Sequence, residues 1–273
     1  MPKIIKFSPD NKKLDTYFGE NDIGFRTRNS EYFKNIMVFI SSIVTQINLD
    51  MTCDGIRIKA MDSSHISLIN GIIPINLFET YNCDKNYVVG IDLAVLIQIL
   101  NHLKQDDELI MIFGKDGKIK DYIEIIYLSE RYEKFYEFKL LNIDNDDYDV
   151  FDFEDTTKLT INSKYFNTII KDFVDIGDNL RVKILKDKSK ISLKTDGEMS
   201  NLKMILSNDE IETENLKDIC LEFNLKHIQI FSRGYNLSSD ILLEVDNDMP
   251  IKMSFRISDG FLDYYLAPQI KDD

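Results

Sequence analysis

The strongest constraint in this sequence is an internal repeat. Asn29-Ser30-Glu31-Tyr32-Phe33 aligns with Asn162-Ser163-Lys164-Tyr165-Phe166, and Ile56-Arg57-Ile58-Lys59 aligns with Ile191-Ser192-Leu193-Lys194. The offset is about 133 residues in a chain of 273. A repeat of this length indicates a duplicated architecture, often with pseudo-symmetry. Two domains of ordinary size also suit a chain that is too long for most single compact folds.

Within each copy, the periodicity of apolar residues predicts the order of helices and strands. The first copy predicts a helix over about 31–43 capped by Asn29-Ser30, an alternating strand over 45–53, and a hairpin turn at Asp54-Gly55. The second copy repeats this order after its own cap at Asn162-Ser163. Short turns between the strands indicate antiparallel pairing.

A second helix is expected in each copy, over about 91–104 and about 223–235, and a strand follows each helix. The pattern predicts an α+β fold of two similar domains, each with two helices on antiparallel sheets. We expect these domains to cover residues 23–139 and 156–273, with a connector over 140–155.

Two segments lie outside the repeat. The connector is acidic, yet it contains Tyr148, Val150, Phe151 and Phe153, which a freely solvated linker would not need. We therefore expect the connector to lie across the surface and to be partly docked. Residues 1–22 have a weak pattern of mixed charge, which indicates a loose N-terminal extension.

Composition excludes several classes of protein. No apolar run approaches the roughly 18 residues that span a bilayer, and the N-terminus lacks a signal-peptide core, so we expect a soluble intracellular protein. Cys53, Cys83 and Cys220 are widely spaced and form no Cys-x-x-Cys pair, which favours buried free thiols. Residues 144–146 begin like a calcium loop, but Asp149 replaces the glycine required at the sixth position. No metal or cofactor is expected.

The distribution of charge allows a nucleic-acid partner despite a net charge of −14. The helical segments carry six cations against three acids, so they hold +3 and the remainder of the chain holds −17. The cations are Lys34, Lys104, Lys164, Lys171, Lys226 and Arg233. No aromatic platform or base-reading helix accompanies them, so any contact with DNA would be with phosphates and independent of sequence.

The adjacent Ser63-Ser64-His65 could suggest a hydrolase. Catalytic serine and histidine side chains must meet within hydrogen-bond reach, whereas neighbours in an extended chain point to opposite faces. The sequence also lacks a Gly-x-Ser-x-Gly elbow and a phosphate-binding glycine loop, while His102 and His227 lack metal-ligand spacing. We therefore expect no catalytic residues and no enzyme.

Five stretches of the chain closely resemble the proliferating cell nuclear antigen family of DNA sliding clamps. In order, they are Ala60-Met61-Asp62-Ser63-Ser64-His65-Ile66-Ser67-Leu68, Phe78-Glu79-Thr80-Tyr81-Asn82-Cys83-Asp84-Lys85-Asn86, Lys171-Asp172-Phe173-Val174-Asp175-Ile176-Gly177-Asp178, Leu237-Ser238-Ser239 and Leu262-Asp263-Tyr264-Tyr265-Leu266-Ala267-Pro268-Gln269-Ile270. The resemblance covers about 23–273, and the first 22 residues have no counterpart in a typical member.

The resemblance implies a DNA-clamp fold and a ring of three subunits whose helices line the hole. It implies duplex DNA, a second and third copy of the chain, DNA polymerase, clamp loader, flap endonuclease and DNA ligase as partners, and no membrane. It also implies a nucleus, or a viral replication compartment if the source is a virus. A checkpoint-type clamp subunit and a non-ring polymerase accessory factor remain the alternatives.

Roles in the family can be carried over to matching residues. The implied pocket for partner motifs comprises Met61, His65, Ile66, Leu68, Tyr148, Val150, Pro250, Tyr265, Leu266, Ala267 and Pro268. The implied subunit interface pairs a strand near residues 134–138 with one near 200–206 of the next chain. Lys186 matches a lysine that carries ubiquitin in eukaryotic clamps.

Two groups of residues depart from the family pattern. Tyr148, Asp149 and Phe151 stand where the family usually has leucine, glycine and proline, so we expect a bulkier pocket rim. Polar residues also replace cations that are usual in the family, which implies weaker phosphate contact; they are Ser41, Gln98 and Thr168.

Overall fold

The computed structural model describes residues 17–144, 150, 153–186, 190–206, 210–247 and 249–269. Within these ranges the chain forms four α-helices, α1 Ser30–Ser41, α2 Leu93–Leu100, α3 Ser163–Val174 and α4 Leu225–Ser232. The strands are β1 Asp22–Thr27, β2 Gln46–Thr52, β3 Gly55–Met61, β4 Ser67–Pro74, β5 Thr80–Asn82, β6 Tyr87–Asp92, β7 Glu108–Lys115, β8 Lys118–Leu128, β9 Glu133–Lys139, β10 Thr157–Asn162, β11 Asn179–Leu185, β12 Lys190–Asp196, β13 Asn201–Leu206, β14 Ile211–Glu214, β15 Ile219–Asn224, β16 Asp240–Val245, β17 Ile251–Ile257 and β18 Gly260–Leu266.

The order of elements confirms the α+β class and the repeat. In the described residues, β1 to β9 with α1 and α2 follow the same order as β10 to β18 with α3 and α4. One helix follows the first strand of each copy and the other follows the sixth. All the strand pairs are antiparallel.

Each copy contributes one five-stranded and one four-stranded sheet unit. The first copy orders its strands β5-β1-β7-β8-β9 and β4-β3-β2-β6, and the second orders them β14-β10-β16-β17-β18 and β13-β12-β11-β15. A single extra pairing, β18 with β4, joins units of different copies into one nine-stranded sheet. The equivalent strands β9 and β13 end their sheets without a neighbour on their outer side in the described residues.

The helices form a second layer on one side of the sheets. α1 packs on α2 and α3 packs on α4. The two copies meet through α1 and α4, where the rings of Phe39 and Phe231 lie 5.2 Å apart edge to face. The Tyr32 hydroxyl donates to the Leu237 carbonyl oxygen across the same junction at 2.6 Å. None of the helices in the described ranges is long and apolar enough to cross a membrane.

Several local expectations need correction. α2 ends at Leu100 rather than near 104, so Lys104 lies in the following turn, where its backbone N–H donates to Asp107. Asn29 precedes α1, but its side chain makes no capping hydrogen bond, whereas Asn162 caps α3 through the Tyr165 backbone N–H at 3.1 Å. The hairpin turn is formed by residues 53–54, and Gly55 already belongs to β3.

The cysteines and the N-terminal segment also differ from expectation. The thiols are free, but Cys53 and Cys220 are exposed, because one lies in the β2–β3 turn and the other faces outward on β15. Residues 17–22 are not loose, since Phe18 is buried against the five-stranded sheet and Asp22 begins β1. The rest of the predicted extension, residues 1–16, lies outside the described residues.

Candidate functional site

The turn between β3 and β4 is organised by one carboxylate. Asp62 Oδ1 accepts hydrogen bonds from the backbone N–H groups of Ile66 at 3.0 Å and Ser67 at 2.6 Å. Its Oδ2 accepts from the backbone N–H and the hydroxyl of Ser64. Burial alone would raise the pKa of Asp62, but the hydrogen bonds from Ser64 and Ser67 outweigh it and lower the pKa. The ionised carboxylate therefore holds this turn.

This turn corrects the expectation of an extended Ser63-Ser64-His65. The three residues form a turn, in which His65 has a φ of 56°. The Ser64 hydroxyl is bound to Asp62, and His65 Nδ1 lies 3.2 Å from the Met61 sulfur. The histidine is thus placed beside a thioether rather than beside a serine hydroxyl. In the part of the chain that the structure describes, no group of three or more His, Cys, Asp or Glu residues could hold a metal ion.

The β4–β18 pairing brings the two ends of the proposed pocket together. Leu68 lies opposite Tyr265 in the register, and the Ala267 backbone N–H donates to the Ile66 carbonyl oxygen at 3.2 Å. Leu68 and Tyr265 are both 4% exposed, in a small cluster separate from the main core. The turn held by Asp62 and the segment after β18 therefore form one continuous surface.

Phe153 covers this cluster from the connector. Its side chain is 8% exposed and packs with Leu68 and Tyr265, with Met61 and Met249 at the edge. The ring centroids of Phe153 and Tyr265 are 5.7 Å apart. The sequence signal for this contact was an aromatic residue in an acidic segment, but the pocket residues chosen from the resemblance did not include it.

A buried ionic group supports the same surface from β16, β17 and β18. Lys252 Nζ lies 2.9 Å from Glu244 and 3.5 Å from Asp263, and both carboxylates are buried. The ammonium also lies 5.5 Å from the centre of the Phe153 ring. Burial raises the pKa of Asp263, and the positive charge of Lys252 opposes that shift. Lys252 thus links the connector aromatic to the sheet beneath it.

The other predicted pocket residues divide into three groups. His65, Ile66, Val150 and Ala267 are exposed, and Pro250 and Pro268 are half-buried near the same surface. Leu266 is fully buried in the main core, because alternate residues of β18 face opposite sides, so its side chain lies on the other side of the sheet from Tyr265. Tyr148, Asp149 and Phe151 lie outside the described residues.

The six predicted DNA-facing cations lie on or next to the helix layer. Lys164, Lys171 and Lys226 are exposed on α3 and α4, and Lys34 is half-buried on α1. Lys104 and Arg233 are exposed just after α2 and α4, Arg233 in a short 3-10 helix. No ion pair joins any of the six to an acidic residue within the described ranges. The hydroxyls of Ser41 and Thr168 donate hydrogen bonds to the backbone carbonyl oxygens of Val38 and Lys164 in their own helices.

Lys186 is exposed and directly follows β11. Its backbone N–H donates to Asp218 at 3.0 Å. The following residue, Asp187, lies outside the described residues.

Comparison with known proteins agrees with this architecture. Residues 23–149 match the model of the proliferating cell nuclear antigen N-terminal domain, and residues 143–270 match that of the C-terminal domain. The proliferating cell nuclear antigen of Chaetomium thermophilum is 26% identical over 259 residues, covering 91% of this chain and 98% of the relative. That of Dictyostelium discoideum is 28% identical over 256 residues, covering 90% and 98%.

A solved structure gives the same result. The chain resembles the crystal structure of proliferating cellular nuclear antigen from Entamoeba histolytica with a TM-score of 0.84 and 27% identity, covering 92% of this chain and 100% of that one. The repeat, the helix layer and both domain matches lead to one conclusion. This chain belongs to the proliferating cell nuclear antigen family of DNA sliding clamps.

Proposed function

We propose that the chain works as a closed homotrimer that encircles duplex DNA with its helix layer and docks replication and repair enzymes on its outer surface. The observation that carries this proposal is the β18–β4 junction. One copy of the repeat already presents its last strand to the fourth strand of the other. The equivalent strands, β9 and β13, are open edges in the described residues, so the same contact can be repeated head to tail between chains, and we propose that three chains close it into a ring. Residues 23–139 and 156–273 are the two proposed clamp domains.

The internal junction also predicts the register between subunits. In the junction, Tyr264 lies opposite Ile69. The matched hydrogen-bond ladders of the two copies make Tyr136 equivalent to Tyr264 and Leu202 equivalent to Ile69. The same geometry between chains places Tyr136 opposite Leu202 of the partner subunit.

The side chains at the open edges suit this pairing. Tyr136, Leu202 and Met204 are half-buried against the main core, so each edge offers apolar groups on its inner face. The outer face of β9 presents Glu133, Phe135 and Glu137. Backbone hydrogen bonds between edges would be accompanied by burial of these apolar groups.

The proposed contact with DNA is weak and non-specific. The proposed phosphate-facing residues are Lys34, Lys104, Lys164, Lys171, Lys226 and Arg233. Four of them lie on α1, α3 and α4, whose opposite faces are fixed in the core, while Lys104 lies just after α2 and Arg233 directly follows α4. Because affinity from such contacts falls steeply with salt, a few cations permit sliding, and encirclement supplies the retention. The clamp performs no chemistry on the DNA in this mechanism.

The proposed partner pocket is the surface around the Leu68, Tyr265 and Phe153 cluster. Family partners insert a motif with an aliphatic and two aromatic anchors, which suits a surface of thioether, leucine and aromatic side chains. DNA polymerase, clamp loader, flap endonuclease and DNA ligase are the proposed classes of partner. Tyr148 and Val150 are the proposed connector contributions, and Lys186 is a proposed modification site. The proposed location is the nucleus, or a viral replication compartment.

Cross-linking tests the ring directly. The predicted register places Glu137 opposite Asn201 of the next subunit, and both side chains are exposed. Oxidation of the Glu137→Cys, Asn201→Cys variant should give a covalent trimer. When the variant is first loaded on circular DNA and oxidised there, the covalent trimer should survive a high-salt wash and should be released when the DNA is linearised.

Two controls make the result specific. Glu137→Cys with Ile205→Cys places the thiols about four residues, or roughly 13 Å, out of register, and should not cross-link. The unmodified chain is oxidised in parallel because Cys53 and Cys220 are exposed. A chain that stays monomeric at micromolar concentration would favour a checkpoint-type subunit, and retention after linearisation would favour a non-ring accessory factor.

A further inference from the structure

The outer face of the first five-stranded sheet is covered by the N-terminal segment. Ile110, Ile112 and Ile126 point away from the main core, yet all three are buried in a separate cluster around Phe18. Phe18 itself is 8% exposed. The segment therefore has a fixed position on this sheet before the chain enters β1.

Tyr17 extends this cover to the open edge strand. Its hydroxyl donates to Glu133 Oε2 at 2.7 Å, and its ring centroid lies 5.6 Å from that of Phe135. Both partners belong to β9 and face outward with Phe18. Phe135 is still 59% exposed, so the Tyr17 ring covers only part of it.

The proposed register identifies the residue of the partner subunit that would lie next to Glu133 and Phe135. Extending the alignment of Tyr136 with Leu202 along the outer face places Glu133 opposite Ile205 of the partner subunit. Ile205 is 53% exposed and points outward on β13. In the ring, Tyr17 would lie above the position that this isoleucine occupies.

We propose that Tyr17 is an added interface residue, which covers Ile205 of the partner subunit and joins it to Phe135. The occupant of this surface is a second copy of the chain. The inference rests on the proposed ring, and it assigns a role to a segment that lies before the repeat. Because Phe18 and the Glu133 hydrogen bond already hold Tyr17 in place, little side-chain entropy remains to be lost on assembly. The contact strengthens the ring from outside, away from the DNA.

The test measures trimer dissociation of full-length variants by native mass spectrometry over a dilution series. Tyr17→Ala should raise the dissociation constant roughly 2- to 10-fold per interface, the range for loss of one aromatic contact. Tyr17→Phe keeps the ring and should lie much closer to the unmodified chain. Tyr165→Ala, which removes an exposed tyrosine on α3, should leave dissociation unchanged.

A double-mutant cycle distinguishes a direct contact between Tyr17 and Ile205 of the partner subunit from a general destabilisation of β9. Tyr17→Ala and Ile205→Ala should be coupled, so that the double variant dissociates less readily than the product of the two single effects predicts. Additive effects, or an unchanged dissociation constant for Tyr17→Ala in a chain that is a trimer, would overturn the Tyr17 contact and leave the ring intact. A chain that forms no trimer would overturn the ring and this contact together.

Discussion

The chain contains one formed strand junction, β18 with β4, and two open strand edges in the described residues, β9 and β13, that we propose form the equivalent junction between subunits. At the internal junction, Tyr264 and Ile69 are almost fully buried and lie opposite each other. Their equivalents at the open edges, Tyr136 and Leu202, are only half-buried. The internal junction is permanent because one chain carries both strands, whereas the junction between subunits must form by association. A ring that encircles closed DNA must also open one junction. The polypeptide still ties the two domains together at the internal junction, so only the proposed junction between subunits can open the ring.

The outer faces of the two junctions differ in polarity. At the internal junction, Tyr265 lies opposite Leu68, and the two side chains form the apolar base of the proposed partner pocket. In the proposed register, the equivalent pair between subunits is Glu137 and Asn201, which are polar and exposed. The same backbone position is therefore apolar where the junction is internal and polar where two chains would meet, whereas Phe135 and Ile205 nearby on the same edges remain exposed apolar residues.

The largest effect is expected from adding a side chain at Gly71, where β4 lies against β18 in the internal junction. A Cβ atom on Gly71 would lie 2.5 Å from the Phe261 carbonyl oxygen and 2.6 Å from Leu262 Cδ2. Gly71→Val should lower the free energy of unfolding by about 3 kcal/mol. Replacing a strand glycine normally stabilises by roughly 0.5–1 kcal/mol, but the cost of overpacking at this position is larger than that gain. Urea denaturation followed by circular dichroism measures the change.

The equivalent residue at the open edge provides the control. Met204 occupies the position of Gly71 on β13 and is half-buried. Met204→Ala should change the unfolding midpoint little at concentrations where the chain is monomeric, and should weaken the trimer. Equal loss of monomer stability in both variants would contradict the distinction between a permanent and an associating junction.

An intermediate effect is expected from the aromatic cover of the pocket. Phe153→Ala removes a ring that packs on Tyr265 and Leu68, so a wall of the pocket is lost. We expect about a tenfold rise in the dissociation constant of a fluorescent partner-motif peptide, within the range for an interface hot spot of about 1–2 kcal/mol. Fluorescence anisotropy gives the constant.

Two matched variants sharpen this prediction. Phe153→Leu keeps an apolar side chain and should recover most of the affinity. Val150→Ala changes a connector residue that is 40% exposed and should have a smaller effect than Phe153→Ala. Peptide binding that is stronger in Phe153→Ala than in the unmodified chain would mean that the ring occupies the peptide site instead of forming its wall.

The sequence predicts the repeated parts of the molecule better than the parts outside the repeat. The two copies, the Asn162 cap of α3 and the antiparallel pairing follow from local periodicity, capping and short turns. The Asp62 turn is made by hydrogen bonds within five residues, but the sequence-based expectation for Ser63-Ser64-His65 is extended chain. The contacts of Phe153 lie on strands distant in sequence, so local patterns could not place them. Residues 109–113 form a continuous apolar run, which indicates a strand covered on both faces. The sequence did not identify Phe18 as the cover, because that contact spans about 90 residues.

The smallest effect is expected from removing cations from the helix layer, which lies away from both strand junctions. Lys171 and Arg233 are exposed, one on α3 and the other just after α4. Lys171→Ala with Arg233→Ala should reduce clamp-stimulated DNA synthesis a few-fold at moderate salt, because each cation contributes a weak phosphate contact among several. Trimer mass should not change. The salt dependence of DNA association should become shallower, since fewer counterions are released.

The control for this variant removes the same charge from another surface. Lys118 and Lys183 are exposed lysines on β8 and β11, outside the helix layer. Lys118→Ala with Lys183→Ala matches the change in net charge, so it should alter neither synthesis nor the salt slope if retention depends on cations that face the duplex. Equal losses in both double variants would indicate a general effect of net charge, because long-range attraction does not distinguish the inner layer from the outer sheets. Loss in the Lys171, Arg233 pair alone would place DNA contact on the helices.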